Sequence, residues 1–187
     1  KLVHVSSIAA LGRTKEGVTI DEQSKWQRGP YNTNYAISKF KAEQEVWRGR
    51  AEGLNVAVVN PGIILGSGYW DSGTAKIFQT VASGYPFYPV GATSLVDVRD
   101  VVQYMVQLME SEVSGERFIL QSEHLTYREL LSAIAESTGK KPPSIKVNKV
   151  LRGLAWRLAW LHSKLTGQKP LLTKETAQNS SRIFYYD

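Results

Sequence analysis

The chain has 187 residues with 42% apolar content, which allows one globular domain, or most of a larger one, with a real core. It has no cysteine, so disulfides and thiolate metal sites are excluded; its three histidines (His4, His124, His162) show no ligand spacing, and no apolar run is long enough to span a membrane. The net charge is +6, but basic residues are interspersed with acidic ones except between Lys140 and Lys169, so most of the charge reads as solvated surface rather than a nucleic-acid footprint.

Leu2-Val3-His4-Val5 is a β-branched run followed at once by Ser6-Ser7, read as a strand entering a turn rather than a targeting segment. With no cysteine, the expected location is cytoplasmic. Residues 12–34 are polar, carry the breaker Gly29-Pro30, and predict a long loop of the kind that tends to be functional. Good helix formers from Asn34 to Ala51, with Gly53 just beyond as a C-terminal cap, predict a helix. Asn55 to Val59 predicts a strand that stops at Pro61-Gly62. Strand, helix and strand of these lengths make a βαβ unit, hence a parallel sheet with a right-handed crossover.

Residues 62–93 are rich in Gly and aromatics, with one helix predicted near Thr74 to Ala82. Ser94 to Val98 reads as extended, Asp100 as the residue opening the next helix, and Arg117 to Leu120 as another strand. Thr126-x-x-Glu129 is a capping box that starts a helix ending at Gly139. Leu151 to Leu165 predicts a last helix, with Trp156 and Trp160 one turn apart. Its apolar stripe is expected to pack into the rest of the fold or against a partner; the alternative is a helix lying on a membrane surface. The chain runs out through Phe184-Tyr185-Tyr186-Asp187, an aromatic, strand-like end.

The chemical signal is Tyr35-Ala36-Ile37-Ser38-Lys39. Four residues apart on a helix, Tyr and Lys lie one turn apart on one face. The ammonium stabilises the phenolate and draws the phenol from its usual value near 10 toward neutrality, where it can exchange a proton with a substrate oxygen. About one Tyr-x-x-x-basic pair is expected by chance in this composition, so the context decides. Ser6-Ser7 ends the strand before this helix and Pro61-Gly62 ends the strand after it, so all three meet at the carboxyl edge of a parallel sheet, where α/β folds place ligands. Ser7 can there polarise a substrate carbonyl, whereas Ser6 reads as a turn cap. Ser7, Tyr35 and Lys39 are expected to converge on one pocket.

Four segments in order resemble a known family: Val5-Ser6-Ser7-Ile8-Ala9-Ala10-Leu11-Gly12, Tyr35-x-x-Ser38-Lys39-x-x-Ala42-Glu43, Asn60-Pro61-Gly62-x-x-Leu65-Gly66, and Leu95-Val96-Asp97-Val98-Arg99-Asp100-Val101. Together they are similar to the extended short-chain dehydrogenase/reductases, the NAD-dependent epimerase/dehydratase family. The pair Ala42-Glu43, Trp47 and Asn60-Pro61-Gly62 look nearest to the dihydroflavonol reductase and 3β-hydroxysteroid dehydrogenase branch. The resemblance implies an α/β fold: the C-terminal half of a Rossmann-like parallel sheet plus a small, mostly helical substrate lobe. Residues 1–66 would be the second half of a dinucleotide-binding domain, and 67–187 a mixed region with returning Rossmann elements around 94–121.

The same resemblance implies Tyr35 as acid/base, Lys39 on the nicotinamide ribose, Ser7 on the substrate oxygen, and Pro61, Gly62, Ile63 and Ile64 lining the nicotinamide of NAD or NADP. The expected function is carbonyl reduction or alcohol oxidation of a small-molecule substrate. A nucleotide-sugar epimerase/dehydratase and a non-catalytic module on the same fold are the alternatives. The family's Gly-x-x-Gly-x-x-Gly pyrophosphate loop has no counterpart in the sequence, so the chain reads as a C-terminal portion that binds the cofactor poorly by itself. Tyr35, Lys39, Ala42 and Val46 are expected to face inward, leaving Ile37, Phe40, Gln44 and Trp47 for a second copy in a homo-oligomer.

Overall fold

A computed structural model describes residues 1–69, 73–167 and 173–187; Lys169, the far end of the basic stretch, lies outside them. In chain order the elements are β1 (Leu2–Val5), a 3₁₀ turn (Ile8–Leu11), β2 (Thr19–Ile20), α1 (Asn34–Ala51), β3 (Val56–Pro61), β4 (Ile63–Leu65), α2 (Ala75–Ala82), β5 (Phe87–Tyr88) and β6 (Ala92–Asp97). Then follow α3 (Val98–Glu110), β7 (Glu116–Leu120), β8 (Glu123–Thr126), α4 (Tyr127–Ser137), β9 (Ile145–Lys146), α5 (Lys149–Thr166), α6 (Lys174–Asn179) and β10 (Tyr185–Tyr186). Two compact units result, one from residues 1–69, 93–124 and 184–187, the other from 70–92 and 125–183.

The first unit is built on a parallel sheet of order β1-β3-β7, in which Leu2 to Val5 run beside Val56 to Val59, and Ala57 to Pro61 beside Glu116 to Leu120. Every residue of β3 is buried, as a central parallel strand covered on both faces requires. On one face Ala57 and Val59 join Val96, Val101, Leu108 and Leu120 in an apolar core, with Val3, Val5 and Met105 packed against it. Among the described residues β1 pairs on one side only, with β3.

Helix α1 has the expected bounds, started by the Thr33 hydroxyl accepting from the Ala36 N–H. Its inward face is not the expected one: Ala36 and Glu43 are buried, while Tyr35 and Ala42 are exposed. Phe40, expected to point toward a partner, stacks on Trp26 at 4.3 Å, and the Trp47 N–H donates to the Glu43 carboxylate. A buried carboxylate with several donors outweighs the simple apolar stripe, and Phe40 and Trp47 of the face expected to meet a second copy have contacts within the chain.

The side chain of Asp97, rather than Asp100, caps α3, accepting from the Arg99 N–H; Asp100 lies within the first turn. The Arg99 guanidinium on the same carboxylate holds the Asp97 pKa at about 2. The stretch expected to be a long loop contributes β2, which pairs in parallel with β10 and so ties Thr19–Ile20 to Tyr185–Tyr186. Around this ladder Ile8, Leu11, Ile20, Phe184 and Tyr186 form a second small core. Arg13 anchors it, donating to the Tyr186 hydroxyl at 2.9 Å and lying over the Phe184 ring.

In the second unit, α4 begins with the foreseen Thr126–Glu129 capping box and buries Leu130, Leu131, Ile134 and Ala135. Strands β5 and β9 pair in parallel, and α5 packs beside α6. The apolar stripe of α5 is not packed inward: Leu154, Leu158, Leu161 and Leu165 are exposed.

Candidate active site

Parallel pairing of β1 with β3 sets their carboxyl ends side by side, Val5 opposite Val59. The chain then continues through Ser6, whose N–H donates to the Val59 carbonyl at 2.8 Å. Ser7 has extended backbone, and its hydroxyl accepts from the Ala9 N–H at 3.2 Å, capping the 3₁₀ turn. The two serines have therefore exchanged the turn-capping role expected of Ser6. The Ser7 hydroxyl proton has no partner among the described residues, so it remains available to an acceptor outside the chain.

Lys39 rises from the second turn of α1 and donates its Nζ to the Val5 carbonyl at 3.2 Å. This fixes the ammonium at the end of β1, two residues before Ser7. Tyr35 stands one helical turn earlier, 58% exposed, its hydroxyl without a partner among the described residues. Buried Ala36, next to it, lets α1 settle against the rest of the unit while the larger Tyr35 ring stays outside.

Pro61 is buried and Gly62, Ile63 and Ile64 are half-buried. The Gly62 N–H donates to the Leu120 carbonyl. A Cβ on Gly62 would lie 2.5 Å from the Ser94 carbonyl oxygen, so glycine is what allows β4 to pair with β6 directly after β3 ends. Ile64 packs against the apolar core, which leaves Pro61, Gly62 and Ile63 as the part of this segment nearest the strand end.

Beneath these residues lies a group for which sequence reasoning assigned no role. Glu43, one turn after Lys39, is 2% exposed. Its Oε2 accepts from the Ser6 hydroxyl at 2.6 Å and from Asn60 Nδ2 at 2.9 Å. Its Oε1 accepts from Trp47 Nε1 at 3.1 Å and from Arg117 Nη1 at 3.3 Å. Arg117 is itself held by the carbonyls of Glu22 and Ser24. Asn60 Nδ2 also donates to the Ser7 carbonyl at 2.9 Å, so the carboxylate is one bond removed from the Ser7 backbone. The available signal was the Glu43–Trp47 spacing of one turn; the burial itself has no local signature.

His4 completes the surroundings. Burial pushes its pKa below the usual value, the nearby Lys39 cation pushes the same way, and Glu43 opposes both. Its Nε2 is buried without a hydrogen-bond partner. Among the described residues no cluster of His, Asp and Glu is arranged to hold a metal ion.

Comparison with known proteins gives the family. The family model for the NAD dependent epimerase/dehydratase family matches residues 1–120, which include all of the candidate site. Sterol demethylase protein B of Methylococcus capsulatus is 31% identical over 163 residues, covering 83% of this chain and 48% of that protein. A putative dihydroflavonol 4-reductase of Synechocystis sp. is 27% identical over 198 residues, covering 100% of this chain and 56% of that protein. Among solved structures, the crystal structure of gox2253 superposes with a TM-score of 0.75 at 28% identity, covering 99% of this chain and 57% of that one. The chain thus spans about half the length of the curated relatives it matches. With the Ser7, Tyr35–Lys39 and Pro61–Gly62 segments ordered around the ends of β1 and β3, and a family match over well over half its length, the chain belongs to the NAD dependent epimerase/dehydratase family.

Proposed function

We propose that the protein is an NAD(P)-dependent oxidoreductase that interconverts a ketone and a secondary alcohol on a hydrophobic small molecule, with Ser7, Tyr35 and Lys39 as its catalytic residues. The observation that carries this reading is the placement of Lys39: its ammonium is pinned to the end of β1 by the Val5 carbonyl, one turn along α1 from Tyr35 and two residues from Ser7. The names of the two curated relatives, a sterol demethylase protein and a dihydroflavonol reductase, favour a polycyclic, largely apolar substrate.

The residues present fit the nicotinamide end of a dinucleotide. Lys39 spends one N–H on Val5 and has no other partner among the described residues, so its remaining donors suit ribose hydroxyls. Pro61, Gly62 and Ile63 offer a small, largely apolar surface for a flat ring. The pyrophosphate has no glycine-rich cradle in this sequence. When bound, the nicotinamide supplies or accepts the hydride.

The chain's own residues handle the proton and the orientation. The Ser7 hydroxyl, already committed as acceptor to Ala9, donates to the substrate oxygen. The Tyr35 hydroxyl delivers a proton to that oxygen in reduction, and the phenolate takes it up in oxidation. Lys39 holds its cation one turn along α1 from that hydroxyl, at the end of β1.

The test is NAD(P)H oxidation by the whole protein with a panel of apolar cyclic ketones, comparing wild type with Tyr35→Phe. Loss of the proton donor should lower kcat about 10²–10⁴-fold. The exposed hydroxyl makes no internal bond, so the melting temperature should be unchanged. Turnover by Tyr35→Phe within a few-fold of wild type would overturn the assignment, and turnover of nucleotide sugars but no ketone would redirect it to epimerisation or dehydration.

A further inference from the structure

Helix α5 is amphipathic in the reverse of the usual sense. Taken around the axis at 3.6 residues per turn, Val150, Leu154, Leu158, Leu161 and Leu165 form one continuous stripe. All five are between 48 and 78% exposed. The opposite side, which carries the small residues Ala155 and Ala159, is half-buried. Arg152 and Ala155 from that side, and Leu151 at the edge of the stripe, line an apolar cleft with Tyr85, Phe87 and Val147. The five aliphatic side chains of the stripe therefore point away from the unit that holds the helix, while Leu151 and Ala155 point into it.

The rim of the stripe is cationic. Arg157 and Lys164 flank it, and Lys149 lies farther round the same side. Each of the first two is set against an indole, Arg157 over Trp156 at 4.7 Å and Lys164 over Trp160 at 4.5 Å. No cation of α5 has a salt bridge among the described residues. The surrounding sequence keeps the same sign: from Ser137 to Thr173 there are eight Lys and Arg residues and not one Asp or Glu. The helix is not long and apolar enough to cross a bilayer.

We propose that α5 is a docking helix that lies flat on an anionic membrane surface, its leucine stripe in the acyl boundary and Arg157, Trp160 and Lys164 at the headgroup level. Several features favour this occupant. An exposed aliphatic face of this extent is where a soluble surface meets something apolar. The exposed Trp160 indole, beside Lys164 at the edge of the stripe, matches the interfacial zone of a lipid layer, where the ring has an apolar body and a polar tip. Two copies of the chain meeting through this face would bring like-charged rims together without any acidic residue on either helix to compensate. An anionic lipid layer supplies the missing charge over the whole length of the helix, about 27 Å at 1.5 Å per residue.

The experiment is sedimentation of the chain with unilamellar vesicles of pure phosphatidylcholine and of equal parts phosphatidylcholine and phosphatidylglycerol. Expected is partitioning onto the mixed vesicles that greatly exceeds that onto the neutral ones and weakens with added salt. Leu154→Gln/Leu158→Gln/Leu161→Gln should lower that partitioning by at least about tenfold. Arg157→Gln/Lys164→Gln, which leaves the leucines in place, should lower it roughly thirtyfold on the mixed vesicles and little on the neutral ones. Because all these side chains are exposed, circular dichroism should show both variants folded. Equal binding to the two vesicle types, or no loss in the folded leucine variant, overturns the proposal. So does a lipid-free dimer that the leucine variant abolishes, which would assign the stripe to a second copy.

Discussion

Replacing Glu43 tests whether the buried carboxylate holds the catalytic edge together. In Glu43→Ala four donors lose their acceptor at once: the Ser6 hydroxyl, Asn60 Nδ2, Trp47 Nε1 and Arg117 Nη1. The Arg117 side chain is only 22% exposed, and that of its partner Glu43 3%. Water can therefore replace little of what is removed. Breaking a buried pair from one side typically costs about 3–5 kcal/mol, chiefly because the remaining charge stays desolvated. The Glu22 and Ser24 carbonyls still hold two guanidinium nitrogens, which places the expectation at the lower end, about 3 kcal/mol.

Glu43→Gln keeps the shape and one acceptor oxygen but presents an amide N–H₂ to groups that are themselves donors. Its cost should be smaller, about 1.5–3 kcal/mol, the worth of a hydrogen bond to a charged group. The assay is urea unfolding of wild type and both variants with linear extrapolation, and the slopes should stay equal. Because Asn60 bridges Glu43 to the Ser7 carbonyl, the variants should also free the Ser6–Ser7 turn, visible as faster amide exchange at Ala9 and Ala10. A loss below about 1 kcal/mol for Glu43→Ala, the worth of an ordinary hydrogen bond, would show that the carboxylate is not the tie described here.

Two further predictions follow from single residues. Burial and Lys39 hold the His4 pKa below its unfolded value, so the unfolded chain binds the proton more readily; stability should be complete above about pH 6.5 and fall as the pH drops below it, and His4→Leu should flatten that slope in melts between about pH 8 and pH 5.5. If His4→Leu shows the wild-type slope, the acid sensitivity arises elsewhere. Gly62→Ala should cost about 1–3 kcal/mol, because its Cβ would press 2.5 Å from the backbone carbonyl of buried Ser94; thermal unfolding at the wild-type temperature would contradict so close a passage of the strands.

The candidate site was legible in part. Tyr35 and Lys39 could be paired from their spacing, and their position at the sheet's carboxyl edge followed from the strand–helix–strand order. Which serine caps the turn could not be decided, because both are adjacent hydroxyls after the same strand and the difference lies in Glu43 drawing Ser6 inward. Glu43 itself sits among Lys41, Gln44 and Glu45 and looks like one more solvated charge. Its burial depends on Asn60 from β3 and Arg117 from β7, and neither is near it in sequence.

The sequence by itself determined what short-range physics controls. The bounds of α1, the Thr126–Glu129 box, the buried apolar run of β3 and the parallel βαβ order rest on caps, propensities and apolar runs within a few residues of one another. Tertiary structure alone decided what depends on distant partners. It joined Thr19–Ile20 to Tyr185–Tyr186, a two-residue ladder too short to carry a pattern of its own. It turned Ala36 and Glu43 inward on α1, and it turned the stripe of Val150, Leu154, Leu158, Leu161 and Leu165 on α5 outward. A helix pattern shows which residues share a face; which face is buried is set by the shape and donors of the surface it meets, and those come from elsewhere in the chain.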